Sequence, residues 1–159
     1  MNKNMFTLKN LSFSAVLAAL YVALTVLLPF SYGPVQFRLS EALTLLPVLF
    51  PQSIPALALG CLISNLLGSA TPWDMVFGTL ATLLAAIATY RLRKNIWLAA
   101  AMPVLVNGVV VGLVLHLTLG FPLFSTMLSV AFGEACVIYL LGIPLVKALR
   151  KMNFPSWLA

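Results

Sequence analysis

Six stretches of this sequence, residues 11–29, 39–50, 54–68, 73–90, 96–115 and 123–146, are almost pure hydrocarbon, cut apart by prolines, glycines and charges. Lipid offers no water to backbone N–H and C=O groups, so such segments must satisfy their own hydrogen bonds as helices. The chain has 62% hydrophobic and only 8% charged residues, against roughly 25% charged in a soluble domain. Its mean hydropathy is +1.09. The expectation is an all-α integral membrane protein with six transmembrane helices, forming a single transmembrane domain over 1–159. A crossing needs about 20 residues, so the short segments 39–50 and 54–68 must tilt, extend into loops or span incompletely, joined by a tight connection at "FPQSIP". The basic start followed by an apolar run imitates a secretory signal, but the run is long and the rest equally apolar, which favours a first membrane helix.

A pI of 9.8 and a net charge of +6 would suit nucleic acid, yet the placement of the charges argues for membrane orientation. Eight of the nine basic residues fall in three clusters: Lys3 and Lys9; Arg91, Arg93 and Lys94; Lys147, Arg150 and Lys151. Six crossings put all three clusters on one side, and the positive-inside rule makes that side the cytoplasm, with both termini there. Arg38 alone falls on the other side, together with Tyr32, Gln36, Glu41, Trp73, Asp74 and His116.

Polar residues in such a chain each need a reason. Arg38 and Glu41 are three apart at a helix start and can pair, as structure or as part of a ligand site. Gln36 beside Tyr32 and Phe37 adds hydrogen-bonding and flat surfaces suited to a planar polar molecule. Thr71 to Asp74 reads as a capping box with Pro72 in the first turn, a role compatible with a site on the same rim. Asn65 lies near the outer end of its segment and Asn107 inside the fifth. Glu134 stands about ten residues into the last segment, about 15 Å deep at 1.5 Å per residue. Such a group either meets a ligand or ion in a cavity, or is a protonated glutamic acid bonded to a neighbouring helix, with Asn107 as partner. His116 is isolated, and Cys61 and Cys136 have no metal or redox spacing, so no metal or cofactor is expected.

Small residues recur every four positions: Ala15, Ala19 and Ala23; Gly60, Ser64 and Gly68; Gly108 and Gly112. Such stripes let helices approach closely, within the bundle or against another protein. No Gly-Lys pair occurs anywhere, so no phosphate loop of the ATPase kind is present. No enzyme pattern emerges either.

The blocks "YGPVQFRLSEALTLLP", "GCLISNLLG", "DMVFGTLATLLAA", "PVLVNGVVVG" and "GEACVIYLLGIPL" resemble the QueT family, S components of energy-coupling factor (ECF) transporters thought to import queuosine precursors. The resemblance runs from about Ala15 to Lys151. It implies an ECF S-component-like bundle with an outward-opening pocket, working with a separate transmembrane coupling (T) subunit and two ATPase subunits. It implies that Ala15 and Ala19, extended by Ala23, dock the coupling subunit. It also implies an outer loop folded over the substrate, bringing Tyr32, Gln36, Phe37 and Arg38 to the pocket. The ligand would be a 7-deazaguanine such as preQ1 or queuine, flat and guanine-like, in some cases with an aminomethyl cation. Glu41, Asp74 and Glu134 would accept its donors, Arg38, Gln36, Asn65 or Asn107 would meet its ring oxygen, and Tyr32, Phe37, Trp73 or Tyr139 would stack on its face. Competing readings are an S component for another vitamin, a secondary transporter coupled to protons through Glu134, and an intramembrane enzyme using Glu41, Asp74 and His116.

Overall fold

Prolines decide much of the local geometry. In the computed structural model, which describes residues 7–27, 37–68 and 71–152, every described element is helical. The order is α1 (Leu8–Val26), a 3-10 helix (Leu39–Val48), α2 (Ser53–Leu67), a π turn (Asp74–Gly78) leading into α3 (Thr79–Arg91), α4 (Ile96–Leu119), α5 (Leu123–Val137), a second π turn (Ile138–Gly142) and α6 (Ile143–Arg150). Each of the six apolar segments is therefore helical. Leu8–Val26, Ile96–Leu119 and Leu123–Arg150 are long and apolar enough to cross a membrane, whereas Leu39–Val48 and Ser53–Leu67 are shorter apolar helices.

Proline has no N–H, so a helical proline strands the carbonyl four residues before it. Pro103 in α4 does this to Ala99, and the Thr89 hydroxyl of α3 donates to that carbonyl at 3.2 Å. Pro144 follows the π turn Ile138–Gly142, a widened turn that accommodates the proline ring inside the continuous rod Leu123–Arg150. The capping box expected from sequence is formed: Thr71 N donates to Asp74 Oδ2 at 3.1 Å and Asp74 N to Thr71 Oγ1 at 3.2 Å. Asn95 caps α4 through Trp97 N, and Gly120, at φ 71°, ends it in the left-handed conformation.

The short second segment is resolved by its winding. A 3-10 helix rises about 2.0 Å per residue, so ten residues cover about 20 Å rather than the 15 Å of an α-helix. Runs this long are uncommon in isolation. Here every residue from Ser40 to Val48 is buried, and the segment touches all six α-helices. Leu43 and Leu46 enter one apolar cluster with Leu17, Tyr21 and Leu57, while Leu45 and Val48 enter another with Ala99, Ile138 and Val146. The segment is thus the spine of the bundle.

Two of the small-residue stripes pack internally. A Cβ on Gly60 would sit 2.9 Å from Tyr21 Cβ, and one on Gly112 would sit 2.7 Å from Met127 Cγ and 2.8 Å from its Cα. The alanine stripe does the opposite: Ala15 and Ala19 are exposed and Ala23 is half-buried, while Ala18 and Tyr21 on the other side of α1 are buried.

Candidate functional site

Helical periodicity places residues four apart on one face, and three such pairs meet in the interior. Gly78 ends the π turn Asp74–Gly78 and Thr82 lies in α3, which continues it; Asn107 and Val111 come from α4, and Val130 and Glu134 from α5. Arg38 and Glu41, at the start of the 3-10 helix, close the ring around a small cavity. The enclosed space offers about 10 Å³ to the centres of water molecules, room for about one. A planar heterocycle therefore requires these walls to part.

The site is held by a chain of polar contacts. Tyr21 Oη donates to Glu41 Oε1 at 2.5 Å. Arg38 Nε lies 3.8 Å from that same oxygen, an ion pair too long for a hydrogen bond. Arg38 Nη2 donates to Asn65 Oδ1 at 3.3 Å, and Asn65 Nδ2 donates to the Asp74 carbonyl at 3.1 Å. On the facing side Asn107 Nδ2 donates to Glu134 Oε1. Glu41 is 2% exposed and Glu134 6%.

Four buried polar atoms of this ring have no hydrogen-bond partner among the described residues: Arg38 Nε, Glu41 Oε2, Asn107 Oδ1 and Glu134 Oε2. Leaving such a group unpaired costs about 1–3 kcal/mol, more when it is charged. The four atoms belong to side chains that line one cavity, so its wall is polar and incompletely satisfied by the protein's own side chains. Val111 and Val130 add apolar wall.

The other candidate residues are spread out. Phe37 is exposed beside Arg38, and Trp73, 60% exposed, stacks on Phe77 with centroids 5.8 Å apart. Asp74 spends its carboxylate on Thr71, including a 2.8 Å bond from the Thr71 hydroxyl. Tyr139 stacks on Trp97 and donates to its carbonyl at 3.3 Å, away from the residues that line the cavity. Tyr32 and Gln36 lie outside the described residues. His116 Nδ1 is 2.5 Å from the Phe121 carbonyl at the end of α4. Among the described residues no three His, Cys, Asp or Glu side chains come together as a metal site would need.

Sequence reasoning passed over Tyr21, Thr82, Gly78, Val111 and Val130. Signals existed: Tyr21 is the one tyrosine of its segment and lies on the side of α1 away from the alanines. Val111 and Val130 are one turn from the two polar residues already singled out.

A family model described as QueT transporter matches residues 11–151. A curated relative from Lactococcus lactis subsp. cremoris (strain MG1363), "Queuosine precursor transporter QueT", is 47% identical over 72 residues, covering 43% of this chain and 42% of the relative. The match thus spans less than half of the relative's length. No solved structure matches.

Proposed function

The chain belongs to the QueT transporter family, and from that premise we propose that it is the substrate-binding S component of an ECF-type importer for a queuosine precursor, a 7-deazaguanine. The observation that carries this reading is the convergence of Arg38 Nε, Glu41 Oε2, Asn107 Oδ1 and Glu134 Oε2, buried and unpaired, on one cavity. A guanine-like edge offers adjacent N–H donors that a carboxylate accepts in parallel, and its ring oxygen takes a donor such as Arg38 Nε. Val111 and Val130 would line the ring faces. Asn65 would act through Arg38, whose guanidinium it holds.

The cavity must widen to admit a ring, and the helices around it set what moves. Glu41 is bound to α1 through Tyr21, so displacing Glu41 pulls on α1. The outer face of α1 carries Ala15 and Ala19, exposed and small enough for close helix approach. We assign that face to docking of the coupling subunit, with two ATPases supplying the energy. The three basic clusters support an orientation with both termini cytoplasmic in a prokaryotic cell membrane.

The reading is tested by uptake of a labelled 7-deazaguanine into cells carrying this chain with and without the coupling and ATPase subunits. Uptake that needs all of them supports it. Uptake that survives loss of the ATPases assigns the protein to the secondary transporters instead.

A further inference from the structure

A cavity with room for about one water must open somewhere to admit a heterocycle, and the packing of its walls differs from seam to seam. Between α4 and α5 the helices are in close contact. A Cβ on Gly108 would lie 2.9 Å from Ala131 Cβ, and one on Gly112 2.7 Å from Met127 Cγ. Asn107 Nδ2 donates to Glu134 across the same seam. The 3-10 spine is tied to α1 by two short bonds, Tyr21 Oη to Glu41 Oε1 at 2.5 Å and Thr25 Oγ1 to Ser40 Oγ at 2.7 Å. Parting either seam would forfeit dense packing or short buried hydrogen bonds.

The seam between the start of the spine and the π turn Asp74–Gly78 is held differently. Arg38 stands on one side of it and Gly78 on the other, both lining the cavity. Asn65 of α2 spans it from behind: its Oδ1 accepts from Arg38 Nη2 at 3.3 Å and its Nδ2 donates to the Asp74 carbonyl at 3.1 Å. The other contact of Arg38, its ion pair with Glu41, is 3.8 Å long. Both contacts of the guanidinium are thus long, and long contacts are weak. The backbone on each side is 3-10 or π rather than α, the windings that mark hinges and functional sites inside helical rods. One turn along α2 from Asn65 lies Cys61, 1% exposed, its sulfur 3.6 Å from Asn65 Nδ2 and accepting from the cavity residue Thr82 at 3.3 Å.

Resting on the reading of this cavity as the substrate site, we propose that the seam between Arg38 and the π turn Asp74–Gly78 is its entrance and that Asn65 is the latch. When Asn65 lets go, the guanidinium of Arg38 and the π turn move apart, the cavity opens and Cys61 is uncovered. The α4–α5 wall stays packed throughout. Asn65 is a positioning residue: it holds the two sides of the entrance and sets how often the cavity is open.

The test is modification of Cys61 by a small water-soluble methanethiosulfonate reagent in the full-length chain in detergent. Cys136, half-buried on α5, is followed in the same sample by mass spectrometry. Where opening and closing are fast relative to modification, the rate follows the open population. Asn65→Ala removes both bonds, so Cys61 should react about tenfold faster or more while Cys136 keeps its rate. Gly78→Ala should accelerate Cys61 in the same direction, because a Cβ there would sit 3.2 Å from Asn65 Nδ2 and crowd it off the Asp74 carbonyl. Unchanged Cys61 rates in both variants overturn the proposal. So does equal acceleration of Cys61 and Cys136, which marks general loosening of the bundle. If Asn65→Ala does not fold, Gly78→Ala decides. An aminomethyl 7-deazaguanine should slow Cys61 modification in the unaltered chain by holding the seam closed. If it does not, while Asn65→Ala still accelerates Cys61 alone, the latch stands and the substrate reading falls.

Discussion

Tyr21 and Glu41, twenty residues apart and on different helices, are joined by a buried 2.5 Å hydrogen bond from the phenol to the carboxylate. The bond ties the inward face of α1 to the start of the 3-10 spine, where Arg38 and Glu41 line the cavity. One side of α1 thus holds a pocket residue while the other presents exposed alanines.

Removing the phenol oxygen alone tests this link. Tyr21→Phe keeps the ring against Gly60 but leaves Glu41 Oε1 without its O–H donor. A hydrogen bond to a charged group is worth about 1.5–3 kcal/mol, so ligand affinity should fall by roughly tenfold or more. Titration of the variant, with thermal unfolding as a fold check, measures it; an unchanged Kd in a folded variant removes Tyr21 from the site.

A second prediction concerns the carbonyl stranded by Pro103. Thr89→Val should destabilise the chain by about 1–3 kcal/mol, since Ala99 O loses its donor. In a Pro103→Ala background the helix supplies its own N–H, and the same substitution should cost much less. Thermal unfolding of the four variants in detergent gives the coupling, and equal costs in both backgrounds would refute it.

Gly112 is predicted to tolerate no side chain. A Cβ would lie 2.7 Å from Met127 Cγ and 2.8 Å from its backbone Cα. Gly112→Ala should therefore lower stability by about 1–3 kcal/mol through overpacking of α4 on α5. Gly120→Ala meets no atom within 4 Å, but at φ 71° it is strained by its backbone instead. Unfolding midpoints of the two variants distinguish steric from conformational cost.

Much of this architecture could be read before any coordinates. The six helical segments follow from hydropathy and punctuation, and the Thr71–Asp74 box from capping chemistry. The pairs Arg38–Glu41 and Asn107–Glu134 follow from the rule that a polar group in lipid needs a partner. The 3-10 winding of Leu39–Val48 was not legible, because it is set by burial against all six α-helices rather than by local propensity. Tyr21 was missed for a related reason: its contact crosses between helices, and no spacing within α1 encodes it. Trp73 and Tyr139 show the limit of reading aromatics from sequence. A ring at a helix end suits stacking on a neighbouring side chain as well as on a ligand, and here Phe77 and Trp97 take that place.

The alanine face of α1 carries a fourth prediction. Ala19 is exposed, so Ala19→Leu meets no internal neighbour and should leave ligand binding to the isolated chain intact. If that face docks the coupling subunit, the same substitution should abolish uptake in cells containing the whole transporter. Normal uptake would return the stripe to ordinary lipid-facing surface.

The most direct measurement is equilibrium binding of the purified chain, alone in detergent, to an aminomethyl 7-deazaguanine, with guanine, thiamine and riboflavin as comparisons, repeated for Glu41→Gln. The account predicts tight binding of the deazaguanine, weak or no binding of the other three, and a loss of at least about tenfold in the variant. Undiminished affinity in a folded Glu41→Gln, or tight binding of a different vitamin in place of the deazaguanine, would contradict it.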